Sequence, residues 1–414
     1  MCDVRTLTYR ILENMMKAST IFKDNGIRSF LLAGSLFLLV SLNSTGCKDF
    51  GTVELPPVEP PALPEEVGKL YDVAGIAGSL GYSGDNGPAL EARMYWPTDV
   101  FVYDETGDVL ITDWNNHVYR KVSPEGIISL AFGSGRHGDD FDGPVNEINL
   151  NHPAGMTVGP DGNFYLAVWH NWKIKLVDKN TLYATTVVGT DAGFSGDGDP
   201  AILARIFLPS SLVFDPTGNM YITDQGNERI RKVDITGTIS TFAGRQEQGW
   251  RDGFGLLAKF AFSQGNDAYP GGRLAIDASG ENLYVADQKN NRIRKIDIAT
   301  QTVSTVAGTG TAEYSGDSGP AMMAELDYPC DVHCAPNGDV YFADTRNHAV
   351  RKLDAAGNIT TVVGTGEPGV SPSGTLATEA MLNYVTGIFF DGKTNILYIA
   401  DTYNSQVKRV RMPS

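Results

Sequence analysis

The chain has 414 residues, with 33 Lys and Arg against 49 Asp and Glu, a formal net charge of −16. So acidic a chain lacks the basic stripe that nucleic-acid recognition requires, which argues against DNA or RNA as partners. Its 46 Gly and 21 Pro fit many tight turns between short strands, and no long helical periodicity follows residue 46.

Residues 1–46 read as a targeting segment. A basic stretch with Lys17, Lys23 and Arg28 leads into an apolar run from Phe30 to Leu42, whose 13 residues fall short of the ~20 that span a bilayer. The run ends in Ser44-Thr45-Gly46, small residues directly before Cys47. This resembles a bacterial lipoprotein signal, which implies cleavage before Cys47, lipidation of its sulfur, and an outer-membrane address, periplasmic or surface-exposed. Lys48-Asp49 resembles the signals that send Bacteroidetes-type lipoproteins to the cell surface. An ordinary cleaved signal or a single-helix anchor is the alternative. Residues 47–69 then form a tether, because Glu54 to Glu66 (ELPPVEPPALPEE) favours extended polyproline-like chain and buries no core. After cleavage 28 Lys/Arg face 46 Asp/Glu, so the lipid rather than the protein surface is the expected membrane contact.

From residue 70 to residue 414 a four-strand unit repeats. Its clearest copy is Ser211 to Gly244, with strands at Ser211 to Phe214, Met220 to Thr223, Arg229 to Val233 and Ile239 to Phe242, separated by turn residues. The turns between the second and third strands read Asp113-Trp114-Asn115-Asn116, Val168-Trp169-His170-Asn171, Asp224-Gln225-Gly226-Asn227, Asp287-Gln288-Lys289-Asn290, Asp344-Thr345-Arg346-Asn347 and Asp401-Thr402-Tyr403-Asn404. First positions are spaced by 55, 56, 63, 57 and 57 residues. A basic residue follows each Asn by four: Arg120, Lys175, Arg231, Arg294, Arg351 and Lys408. The sixth copy lacks its fourth strand, and Tyr71 to Gly75 at the other end of the sequence supplies one. The spacing predicts an all-β, six-bladed propeller of four-stranded antiparallel blades, closed by that N-terminal strand, with no exposed sheet edge at the seam.

The pattern D-x-x-N-x-x-[IV]-[RK]-K, for example Asp224, Asn227, Ile230, Arg231 and Lys232, resembles the NHL-repeat family over roughly residues 70 to 412. The resemblance implies a monomeric six-bladed propeller. Its members include protein- and RNA-binding platforms, sensor ectodomains and a related peptide-amidating lyase, so the fold does not name the activity.

The repeated Asp, Asn and basic residue read as scaffold, because Asp and Asn bond their own turn and the cation pairs with a carboxylate. Candidates for function are the positions at which copies differ. At the predicted channel mouth one position reads Asp99, Gly155, Ser211, Arg273, Asp331 and Gly387. Asp99 and Asp331 suit a divalent cation or acid–base chemistry, while an ion pair between Asp331 and Arg273 on adjacent blades is the plainer expectation. Blade 2 replaces Asp with Val168 and adds Trp169, His170 and Trp172, with Trp114 aligned in blade 1, an aromatic set suited to a sugar, peptide or protein. His117, His170 and His348 lie in turns, with His152 before an inner strand, and no local spacing marks a metal site. Loops 83–92, 195–204 and 315–324 share Gly-Asp-x-x-Pro-Ala, with Asp85, Asp197 and Asp317 expected at a short helix start. Cys330 and Cys334, four apart on one strand, would lie about 13 Å apart, too far for a disulfide.

No nucleophile elbow, phosphate loop or Cys-x-x-Cys is present. The expectation is a lipid-anchored, cell-envelope binding module presenting its loop face to a glycan, peptide or envelope protein. No cofactor is predicted. The alternative is a metal-dependent enzyme of lactonase or lyase type, its divalent cation held at the channel mouth by Asp99 and Asp331.

Overall fold

Short strands punctuated by Gly, Asn and Asp turns leave each four-stranded sheet with two apolar faces, and such sheets bury both only by stacking on neighbours. The computed structural model describes residues 66–139, 142–264 and 269–413. The expected signal segment, the lipidation site Cys47 and most of the tether, through residue 65, lie outside these residues. Six antiparallel sheets follow one another around an axis, their innermost strands adjoining in sequence and the sixth returning to the first. These inner strands are Pro97–Tyr103, Pro153–Val158, Pro209–Phe214, Leu274–Ile276, Asp331–Cys334 and Val385–Asp391, for blades 1 to 6.

The N-terminal strand, Lys69–Ala74, is the outermost main strand of blade 6. Leu70 pairs with Val410, Tyr71 with Arg409 and Asp72 with Lys408, which closes the ring. Four blades gain a two-residue fifth strand at the rim from the loops that connect them. Apolar clusters fill the spaces between sheets, such as Tyr221, Phe242, Phe260, Phe262 and Leu283 between blades 3 and 4.

Each outer strand carries a bulge opposite the repeated cation, for example between Ile230 and Arg231. Bulges sharpen twist locally. Each fourth strand ends at or just before a glycine: Gly75, Gly133, Gly189, Gly244, Gly308 and Gly364. All six have φ between 88° and 105°. A Cβ on Gly308 would stand 2.2 Å from the Asn291 carbonyl oxygen, and one on Gly244 2.3 Å from that of Glu228. Only glycine fits there, which explains why the copies end alike.

Candidate functional site

The repeated turn is scaffold. In blade 3 the buried Asp224 accepts the Phe207 N–H (2.7 Å), the Asn227 amide (2.8 Å) and an Arg231 N–H (3.2 Å). Arg231, fully buried, also pairs with Asp197 at 2.8 Å, and Phe194 covers its guanidinium at 4.8 Å. The clamp recurs as Arg120–Asp85 (2.6 Å), Arg294–Asp252 (2.7 Å), Arg351–Asp317 (2.8 Å), Lys175–Asp142 (3.3 Å) and Lys408–Asp72 (2.5 Å). The expected role of Asp85, Asp197 and Asp317 at a helix start is thereby corrected. The 3-10 turns after them have only three residues and no side-chain cap, and the buried cation behind them is the stronger claim on a carboxylate.

The channel mouth is bolted shut. Blade 4 has two glycines, Gly271 and Gly272, before Arg273, and Arg273 reaches across the axis to blade 1. Its guanidinium pairs with the Asp99 carboxylate and donates to the Thr98 carbonyl at 2.9 Å, while Asp331 lies 4.0 Å away. The expected Asp331–Arg273 pair is therefore the looser one. Neighbouring blades favoured it on paper, but an extended Arg spans the channel to the opposite blade. Asp99 also accepts the Val100 N–H (2.9 Å), and Asp331 accepts those of Val332 (2.8 Å) and Ile388 (2.7 Å). All three side chains are buried. Burial, opposed by Arg273, pushes Asp331 up to about 7. The two carboxylates thus spend their oxygens on one guanidinium and on backbone amides, a poor donor set for a cation. Among the described residues no three His, Cys, Asp or Glu side chains converge on a point suited to a metal. From this bolt the channel continues along the inner strands as a cavity of about 240 Å³, lined by Phe101, Phe214, His333 and Phe389 among others.

Above the bolt lies a floor of aromatic rings. Tyr269, from the same blade 4 loop, also crosses the axis. Its ring lies 6.2 Å from Trp96 and 5.9 Å from Trp114 of blade 1, and 5.5 Å from Tyr384 and 6.3 Å from Tyr403 of blade 6. The Tyr403 hydroxyl donates to that of Tyr269 at 2.9 Å, and Tyr384 stacks on Tyr403 at 4.4 Å with 8° between planes. Gln225 of blade 3 pins this loop, donating to the Ser263 carbonyl (2.7 Å) and the Tyr269 carbonyl (3.0 Å) and accepting the Gly271 N–H (3.2 Å). Trp114 and Trp169, expected as exposed contacts, are 7% and 2% exposed and form the underside of the floor. Trp172 is partly buried against the same cluster, as are Trp96 and Tyr269. His170 packs against Trp169 with ring centroids 4.5 Å apart and planes tilted by 31°, at the edge of the floor.

Backbone conformation marks the same ring of positions. Trp96, His152, Leu208, Tyr328 and Tyr384, each just before an inner strand, have φ from 53° to 63°. Bulky residues rarely adopt this left-handed region, and surrounding bonds must hold them there. For three of them, His152, Tyr328 and Tyr384, the turn of the preceding blade supplies a bond. His117 Nδ1 accepts the His152 N–H (3.2 Å), His348 Nδ1 accepts that of Tyr384 (3.0 Å), and Asn291 Oδ1 accepts that of Tyr328 (2.9 Å). His117 and His348 are latches between blades. Burial, reinforced by neighbouring histidines, pulls His117 down to about 4 and His152 to about 3, so both are neutral at pH 7. His170 Nδ1 lies 2.9 Å from His152 Nδ1.

In the sequence the charged position two or three residues past the loop-ending proline stands out, and the residue before that proline does not. That residue reads Trp96, His152, Leu208, Tyr269 and Tyr328, with Tyr384 at the same place in blade 6, and its aromatic bias was the available signal.

The sequence model of the Teneurin NHL domain matches residues 266–384. NHL repeat-containing protein 2 of Homo sapiens is 25% identical over 349 residues, covering 76% of this chain and 46% of that protein. The chain thus spans about half the length of such curated relatives. An auxiliary nutrient binding protein from Bacteroides ovatus superposes with a TM-score of 0.60 at 16% identity, over 83% of this chain and 76% of that one. A protein of unknown function from Bacteroides thetaiotaomicron superposes with a TM-score of 0.59 at 18% identity, over 82% and 75% respectively. At these identities the solved structures bear on the fold alone.

Proposed function

We propose that this chain, an NHL-type six-bladed propeller, is a binding module whose ligand rests on the aromatic floor of the loop face. The observation that carries the reading is Tyr269, which crosses the axis to join Trp96 and Tyr403 in one surface, with the buried Tyr384 stacked on Tyr403. A scaffold needs no such span, because the Arg273–Asp99 bolt beneath already ties blade 4 to blade 1. Ring faces with hydroxyl groups at their edges suit a ligand that is partly apolar and partly hydrogen-bonding. Several left-handed aromatic residues in one place add a second support, since strain of about 1–3 kcal/mol per residue accumulates at functional sites. Engagement of Asp99 and Asp331 by the bolt removes the free carboxylate pair that a metal-dependent reaction at the mouth would use. The name of the Bacteroides ovatus neighbour is compatible with a binding role.

The finer reading is a lipid-anchored envelope protein, with Cys47 as the modified residue and the Pro-rich stretch holding the propeller off the membrane. Cys47→Ser should release the protein into the soluble fraction, and retention in membranes would refute the anchor. For the binding role, Trp96→Ala with Tyr403→Ala is tested against a panel of glycans, peptides and envelope proteins. The double variant should lose binding while keeping its thermal transition. Undiminished binding would move the site elsewhere.

A further inference from the structure

We infer that the loop-face site takes an anionic saccharide, a sugar chain bearing carboxylate or sulfate groups, with Arg346 as its anion-binding residue. This rests on the reading of the loop face as a binding surface and adds the ligand's class to it.

Charge distribution is the first observation. The third residue of each blade's turn reads Asn115, His170, Gly226, Lys289, Arg346 and Tyr403 around the mouth. No carboxylate occurs among them, and two neighbouring blades contribute cations, in a chain whose acidic residues outnumber the basic ones by 49 to 33. Exposed cations on so acidic a body, even with Asp327 beside Arg346, are where an anion would be admitted.

Arg346 is the second. Its side chain is 51% exposed, yet its position is fixed. The guanidinium lies 4.1 Å over the Tyr328 ring and beside Tyr384, which stacks on Tyr403. The charged fork therefore adjoins the aromatic floor. Asp327 makes a loose ion pair with the guanidinium at 3.8 Å, beyond hydrogen-bonding distance, so N–H groups of the fork remain for a ligand that competes with it. Planar, bidentate recognition of carboxylate or sulfate is what such a fork does well.

The third observation separates a saccharide from an acidic peptide. Peptides often gain affinity from backbone pairing, and the N–H groups at this turn position are taken. The Asn115, Arg346 and Tyr403 N–H groups already donate to the Tyr95, Asp327 and Asn383 carbonyls. A sugar needs only what is present: aromatic faces for its C–H surface, Tyr269 and Tyr403 hydroxyl groups for its own hydroxyls, and a cation for its acid.

The test titrates the purified full chain by calorimetry with oligogalacturonate, with its carboxyl-reduced neutral counterpart, and with dextran sulfate fragments. Wild type should favour one or both anionic probes over the neutral one by about tenfold or more, as expected for a charge-assisted contact. Arg346→Ala should abolish that preference and Arg346→Lys retain part of it, with the thermal transition unchanged in both. The two anionic probes tell carboxylate from sulfate. Equal affinity for charged and neutral probes, a preference that survives Arg346→Ala, or binding of an acidic peptide with no saccharide bound would each overturn the inference. Neutral-sugar binding that depends on Trp96 and Tyr403 would overturn the anionic class and leave the loop-face reading standing.

Discussion

Arg273 decides what the channel mouth can do. Removing it would leave Asp99 and Asp331 buried near one another without a cation, so Arg273→Met should cost about 3–5 kcal/mol, read as a lowered denaturant midpoint. A loss well under 1 kcal/mol would mean that the bolt contributes little and that the carboxylates are free for other work. The position of Arg273 at the mouth was legible in the sequence, because three charged residues replaced small ones at a repeated site. Its partner was not. Pairing by neighbouring blades ignored the reach of an extended Arg, and the shift produced by Gly271 and Gly272 was invisible in the alignment. The same loop hid Tyr269, since the 63-residue spacing of blade 4 breaks the register in which the other copies could be compared.

His117 makes a separate prediction. Its folded pKa of about 4 lies below the ordinary value of about 6.5. Above pH 6.5 both folded and unfolded states are neutral there and the latch contributes fully. As pH falls from 6.5 through 4 the unfolded chain takes up a proton that the folded one resists, and stability is lost. Asn291 does the same job in blade 4 without titrating. His117→Asn should therefore fold and lose less of its melting temperature between pH 7 and pH 4.5 than the wild type. An unchanged pH profile would contradict the latch.

At the scale of the element, each blade is held by a buried cation paired with a carboxylate, Asp72 of the N-terminal strand in blade 6 and a loop Asp elsewhere, and a turn Asp joins them in every blade but the second, where Val168 stands. Arg231→Ala would leave Asp224 uncompensated, with an expected loss of about 3–5 kcal/mol. Blades 2 and 6 use Lys175 and Lys408 at this position, so Arg231→Lys should cost clearly less than Arg231→Ala in chemical denaturation. Equal losses would show that the bidentate geometry of Arg, rather than the charge, holds the blade. The recurrence of Asp, Asn and cation made this element readable from sequence, as did its glycine terminus. Asp85, Asp197 and Asp317 stood out in the sequence as helix-start residues, but their cation partners lie 34 or 35 residues away, a separation that only the fold converts into contact.

At the scale of the molecule, six near-copies made the ring and its closure by Lys69–Ala74 predictable, since a missing last strand and a spare first one fit together. Asymmetry then had to come from departures. Blade 4 provides them twice, with Arg273 below and Tyr269 above, both crossing to blade 1. The channel consequently presents two unlike ends, an aromatic floor on the loop face and a cavity of about 240 Å³ on the other side of the bolt. The binding account assigns the ligand to the first. Hydrogen–deuterium exchange with a bound ligand distinguishes the two ends most directly. Protection should concentrate in peptides carrying Trp96, Tyr269, Arg346 and Tyr403. Protection confined to peptides carrying Phe101, Phe214 and Phe389, on the cavity side, would contradict it.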